Sequence, residues 1–352
     1  MQNETFIQFF HWYIPADGRL WQHFQEEAPS LPAKGITHVW LPPAFKGSRG
    51  QVSEGYDVYD LYDLGEFDQK GTVATKYGSK EQYLSAIKAA QQAGLKILAD
   101  IVMGHRVGGD EKEKVTVRRV NPRNRNEMIG EPLEIETYTK FTFPGRKDQY
   151  SNYKWDFHSF AGVDYAVNLP PSAQGIFKIQ NEYGEGEWND EVSPENGNFS
   201  FLIGNDVETR NPAVRDELYK WGKWYISTTG VDGLRLDALK HTSWMFIKKW
   251  VQAMREAAGK DLTVIGEYWA PENLPEMTGY LEKVAYSFSL FDAPLHHNFH
   301  QASKGERALW NLYDDTLTAV HGQNSITLVD NHDTQPLQSL ESPVEAWFRP
   351  LA

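Results

Sequence analysis

The sequence predicts an α/β chain whose parallel strands curl into a (β/α)8 barrel, with an irregular β domain inserted after the third strand. Short β-branched apolar runs alternate with longer stretches of helical spacing, the pattern of parallel strands joined by helical crossovers. One interval, 104–208, interrupts that alternation: it is rich in Gly, Asn, Pro and aromatics and has little helical periodicity. The chain has 352 residues, 40% of them hydrophobic, enough for a barrel of ~250 residues plus a satellite domain.

The elements follow in order. The first strand is expected at 6–10 (Phe6-Ile7-Gln8-Phe9-Phe10) and the second at 36–41, both apolar and β-branched or aromatic. A helix follows at 80–93, opened by the capping-box pattern Ser79-Lys80-Glu81-Gln82 and stopped by Gly94. The third strand is expected at 96–102, before the insert. Helices at 211–228 and 242–258 then flank a fourth strand at 233–238. Strands at 263–267, 286–291 and 325–330 complete the series. That makes seven strands where a closed barrel needs eight, and an open one exposes two unpaired edges. The last residues, Arg349-Pro350-Leu351-Ala352, fall inside what should be the helix after the seventh strand, so a C-terminally truncated barrel is expected. The expected division is 1–103 and 209–352 for the two parts of the barrel, with 104–208 as the inserted domain.

Composition narrows the function. Lys plus Arg number 35 against 48 for Asp plus Glu, a net charge of −13 with no basic cluster, which argues against a nucleic acid partner. A neutral polymer is indifferent to that charge. No apolar run reaches the ~18 residues of a membrane span. Cys is absent, so disulfides and thiolate metal sites are excluded. The adjacent pair His296-His297 has diverging rings and reads as a surface feature rather than a zinc site. Met1 leads directly into Gln-Asn-Glu-Thr without a basic and apolar leader, so a cytoplasmic monomer is expected. A secreted chain whose leader has been removed is the alternative.

Barrel sites form at the C-terminal ends of the strands. There the sequence places Asp100-Ile101-Val102-Met103-Gly104-His105, Arg235-Leu236-Asp237, Gly266-Glu267-Tyr268-Trp269 and Asn331-His332-Asp333. Taken singly each is ordinary: an ion pair, a strand end, a turn. Together they deliver carboxylates and imidazoles from four strands to one rim. Two carboxyl groups flanking an oxocarbenium-like transition state are what glycosidic cleavage requires. Arg235, two residues before Asp237, shares its side of the strand and should keep it ionised as a nucleophile. The apolar surface of Tyr268 and Trp269 should raise Glu267 and keep its proton available.

These four segments resemble the signature regions of the α-amylase family of glycoside hydrolases. Phe9-Phe10-His11-Trp12-Tyr13, Trp40-Leu41-Pro42-Pro43-Ala44 and Gly55-Tyr56-Asp57-Val58-Tyr59 extend the resemblance to the bacterial liquefying branch. Asp110-Glu111-Lys112-Glu113 and Gly186-Glu187-Trp188-Asn189-Asp190 place it nearest the cytoplasmic members. The resemblance implies retaining endo-hydrolysis of α-1,4-glucosidic bonds in starch, glycogen or maltodextrins. Asp237 would be the nucleophile, Glu267 the acid/base and Asp333 the transition-state stabiliser. His105, Arg235 and His332 would line the same sugar subsite, Tyr56 would stack on that sugar, and Lys240 with His241 would meet the next glucose. The alternatives are a transglycosylating or maltooligosaccharide-forming member, and a non-catalytic glucan-binding homologue.

Two departures accompany the resemblance. Family members usually bind structural calcium, an ion that takes 6–8 oxygen ligands. Gly104, Asn189, Ala166 and Ser200 stand where the pattern carries ligating side chains. Only Asp164, Asp206 and the His241 carbonyl remain, so a weak or absent calcium site is expected, with no organic cofactor. The family also has an eighth strand and a C-terminal β-sandwich, for which the sequence has no counterpart. Without that support, this chain is expected to be poorly active or aggregation-prone.

Overall fold

In the computed structural model, which describes residues 4–352, one seven-stranded sheet runs in chain order. Its strands, ranked first to seventh, are Phe6–Gln8, His38–Leu41, Lys96–Ile101, Gly233–Leu236, Thr263–Gly266, Ser289–Phe291 and Ser325–Ile326. All neighbours pair in parallel. The sheet order begins at the first strand and ends at the seventh, which do not pair with each other. The second and fourth strands are buried throughout, as expected where helices cover one face and the barrel interior lies on the other.

Several strands are shorter than their apolar runs. Residues 286–288 leave the sixth strand because the helix Leu274–Lys283 unwinds through Ala285 and Tyr286 at φ 55° and 52°. After Ile326 the seventh strand gives way to irregular chain, where Asp330 accepts from the Val344 amide at 3.0 Å. Apolar runs mark burial, not where ladder pairing stops.

The helices obey their local signals. Lys80–Gln92 starts on the capping box, with the Ser79 amide donating to Gln82 Oε1 at 2.8 Å. Pro212–Thr229 begins on the Asn211 cap and ends at Gly230 in the left-handed region (φ 65°). Trp244–Ala258 begins on Ser243. The last two pack through Trp221 and Trp250, whose rings lie 6.2 Å apart. Trp221 also donates to the Leu61 carbonyl at 2.9 Å.

The interval after the third strand is more regular than expected. It forms a six-stranded antiparallel sheet ordered His105–Arg106, Asn205–Val207, Phe160–Val163, Phe177–Ile179, Glu111–Asn121 and Asn124–Lys140. The last two make a hairpin of 11 and 17 residues. Its alternation is carried by few side chains, notably Val115, Val117 and Ile135, while the exposed positions mix Lys and Glu with Thr116, Asn126, Ile129 and Tyr138. Its first and last strands pair with each other, Asn205 opposite Arg106, so the excursion leaves and returns at the same point of the barrel rim.

His296 corrects the surface reading of the histidine pair. It is fully buried in the helix Ala293–Ser303, with Nδ1 on the Val329 carbonyl (2.7 Å) and Nε2 on Ser342 Oγ (3.0 Å). The helix turns consecutive side chains about 100° apart, so adjacent histidines face different surroundings.

Candidate active site

The strand register builds the site. Arg235 on the fourth strand lies opposite Asp100 on the third and Ile265 on the fifth, one residue short of each strand's C-terminal end. Its fully buried guanidinium holds three carboxylates. Nη1 donates to Asp100 Oδ1 (2.8 Å) and Asp237 Oδ1 (2.6 Å), and Nη2 donates to Glu267 Oε2 (2.5 Å). Asp100 accepts in addition from Trp40 Nε1 (2.9 Å) and Tyr56 OH (2.7 Å). Three acids against one cation leave the cluster negative, so burial dominates their protonation.

Burial raises Asp237 to about 6, with Arg235 opposing and the Asp100 charge adding to the rise. Burial likewise raises Glu267, Arg235 opposing, while the Asp237 charge pushes it further up. Glu267 also accepts from the Ala238 amide at 3.2 Å, and Ala238 takes a left-handed φ of 50° where the fourth strand breaks. The reason expected for Glu267 needs correction in part. Trp269 lines the cavity, but Tyr268 turns into the core and donates to Glu276 at 2.6 Å. Enclosure by the whole rim, not an adjacent Tyr-Trp surface, raises Glu267.

Asp333 lies across the cavity. Burial and the Glu267 charge raise it to about 8. His332 beside it (Nε2 to Asp333 Oδ2, 3.4 Å) stacks on Tyr56 with centroids 4.9 Å apart, and Trp12 stacks on both rings. Burial holds His332 well below the usual imidazole value, with the Arg235 charge contributing, and brings His105 down to about 4. His105 Nε2 meets the Tyr56 carbonyl at 2.6 Å, which fixes the loop carrying the tyrosine. These neutral imidazoles and the stacked rings suit hydroxyl groups and a flat sugar face.

All three expected acids, together with Tyr56, His105, Lys240, His241 and His332, line one cavity of about 930 Å³. Arg235 sits beneath its floor. Lys240 reaches the Trp269 carbonyl at 3.2 Å and pairs with Glu195. His241 Nδ1 meets the Phe199 carbonyl at 2.7 Å, and burial lowers the ring to about 3. Sequence reasoning missed Asp100, Trp12 and Glu195 as members of the site. Asp100 stood in a motif read for its neighbour His105; its role follows from register with Arg235.

The candidate calcium ligands do not form a cage. Among the described residues no three His, Cys, Asp or Glu side chains converge on a metal position. Asp164 accepts from the Gly204 amide at 2.9 Å, and Asp206 from Ser200 Oγ at 2.8 Å. Burial raises Asp206 to about 8, with the Lys178 and Arg210 charges opposing. The residues present do not fit the ion.

Comparison with known proteins agrees with this fold. The family description "Alpha amylase, catalytic domain" matches residues 31–345. A cytoplasmic α-amylase of Escherichia coli (strain K12) is 47% identical, covering 100% of this chain and 71% of its own. An α-amylase of Geobacillus stearothermophilus is 46% identical over 99% of this chain and 63% of its own. A glucan 1,4-alpha-maltohexaosidase of Bacillus sp. (strain 707) is 42% identical, covering 99% and 67%. Among solved structures, α-amylase I of Eisenia fetida superposes with a TM-score of 0.63 at 16% identity, over 99% of this chain and 62% of that one. The chain thus spans only part of the relatives it matches. Arriving from strand register on one side and from sequence identity on the other, both lines meet in the conclusion that this chain belongs to the α-amylase family and contains its catalytic domain.

Proposed function

We propose that this site hydrolyses internal α-1,4-glucosidic bonds of starch, glycogen or maltodextrins with retention of configuration. The observation that carries the proposal is the shared guanidinium: Asp237 and Glu267 occupy neighbouring nitrogens of Arg235, at 2.6 and 2.5 Å. Retaining enzymes bring their carboxyls ~5–5.5 Å apart, whereas inverting ones leave room for a water between them. Two acids hooked on one guanidinium favour the closer arrangement.

Each acid then has a distinct task. Asp237, at about 6, is largely ionised at neutral pH and attacks the anomeric carbon. Glu267, raised by burial, delivers its proton to the leaving oxygen and then takes one from the incoming water. Asp333, at about 8, holds a proton with which it donates to sugar hydroxyls as the ring flattens. Tyr56 and Trp12 supply the apolar face, and Lys240 with His241 the leaving side. We assign residues 104–208 to a separate inserted domain and the flanking segments 1–103 and 209–352 to the barrel. We place the protein in the cytoplasm by likeness to the relative from E. coli, and read it as a monomer; no helix among the described residues is long and apolar enough to cross a membrane.

The test is incubation with soluble starch followed by chromatography of products over time. Random mid-chain products appearing early are expected. Asp237→Asn should lower kcat by at least roughly 10³-fold while leaving glucan binding intact; retained cleavage by that variant would remove the nucleophile assignment. The maltohexaosidase among the relatives favours one variation, a product of fixed length, which the same chromatogram would reveal as a single dominant oligosaccharide.

A further inference from the structure

Where the chain leaves the insert, at Glu208 and Arg210, a second buried charge cluster forms a junction that does not line the catalytic cavity. Its geometry begins in the sheet. Lys178 and Asp206 are both register partners of Gly162, one on each neighbouring strand, so the three lie in a row. Gly162 carries no side chain because the Trp188 ring fills that space: a Cβ there would come within 2.5 Å of it. Lys178 has no exposed surface; its ammonium stands 5.3 Å from the Trp188 ring centre and donates to the Ile179 carbonyl at 3.0 Å. Glu208, also buried, is gripped as a fork by Arg210, through Nε at 2.8 Å and Nη2 at 2.6 Å. The same guanidinium donates to the Glu187 carbonyl at 2.9 Å. It sits against Gly184, where any Cβ would overlap it.

Two buried acids, Asp206 and Glu208, thus face two cations, Lys178 and Arg210, each of which feels both acids. Unpaired buried charge costs several kcal/mol per group, so such a cluster persists only when neutralised. We propose that Lys178 and Arg210 are the resident cations of this junction, performing the neutralising and cross-linking role that a divalent metal would otherwise take. The guanidinium ties a strand end of the insert (Glu208) to its distal loop (Glu187), as a multidentate ion does. The junction therefore requires no added metal, and the misfit of the calcium ligands is the counterpart of this internal charge set.

Thermal unfolding of the chain tests the proposal. The wild-type Tm should be unchanged by EDTA and by millimolar calcium. Arg210→Gln vacates a recess walled by the Glu208 and Asp206 carboxyls and the Glu187 carbonyl, all oxygen donors suited to calcium. This variant should lose several degrees and regain at least about 3 °C in calcium. The double variant Glu208→Gln/Arg210→Gln should show no calcium response. Arg210→Lys, the gentler change, keeps a charge without the fork; it should lose less and ignore calcium. A fall in wild-type Tm with EDTA would overturn the proposal, as would equal calcium shifts in wild type and Arg210→Gln, or a calcium response in Arg210→Lys.

Discussion

Arg235 is the main counterweight to burial for the acids around it, and its loss has a readable signature. It opposes the rise of Asp237 and Glu267, so Arg235→Gln should move both further up. In the wild type, kcat/KM is expected to rise as pH increases through about 6, where Asp237 ionises and becomes a nucleophile. In Arg235→Gln that acid limb should shift to higher pH, with kcat at pH 7 lower by roughly 10²-fold. A pH–rate profile checks both, and an unmoved acid limb would show that Arg235 does not tune Asp237. Asp237 and Glu267 were legible in the sequence as acids at strand ends. Asp100 was not, because its partner lies 135 residues away and is fixed only by strand register.

At the level of elements, the fifth strand shows how backbone packing aims a side chain. Gly266 immediately precedes Glu267, and a Cβ there would meet Leu239 Cδ1 at 2.3 Å and Leu290 Cδ2 at 2.9 Å. In Gly266→Ala the packed Leu239 and Leu290 side chains resist the new methyl and press on the strand, at a cost of ~1–3 kcal/mol. Because Glu267 moves with it, kcat should fall by more than tenfold while KM changes little, since displacement of ~1 Å costs about 10² in rate. Steady-state kinetics beside a melting curve separates the two effects; a variant that is merely less stable would keep its kcat. The capped helix over 80–92 was legible because Ser79 and Gln82 make a local box. The long hairpin over 111–140 was not, because its exposed positions mix charged, polar and apolar residues and few valines carry its alternation. His296 was misplaced for a related reason: burial in a helix depends on which neighbour covers that face.

For the whole molecule, a net charge of −13 faces a proposed substrate that carries none. Binding should rest on stacking and hydroxyl contacts at Tyr56, Trp12 and the imidazoles, which salt screens little. KM for soluble starch is expected to change by less than about twofold between low and molar salt; a steep salt dependence would point to a charged ligand instead. What the sequence determined by itself is whatever short-range chemistry can encode. Apolar runs set the alternation of strands and helices, caps set the helix starts, and strand-end acids set the candidate residues. What only the tertiary structure decided is which of those residues share a charge or a wall. One guanidinium holds Asp100, Asp237 and Glu267 because three strands pair in a single register. A second charge cluster brings Lys178 and Asp206 to either side of Gly162 because that glycine leaves room for the Trp188 indole. Electrostatic energy depends on distance through space and on exclusion of water, and a linear order of residues contains neither.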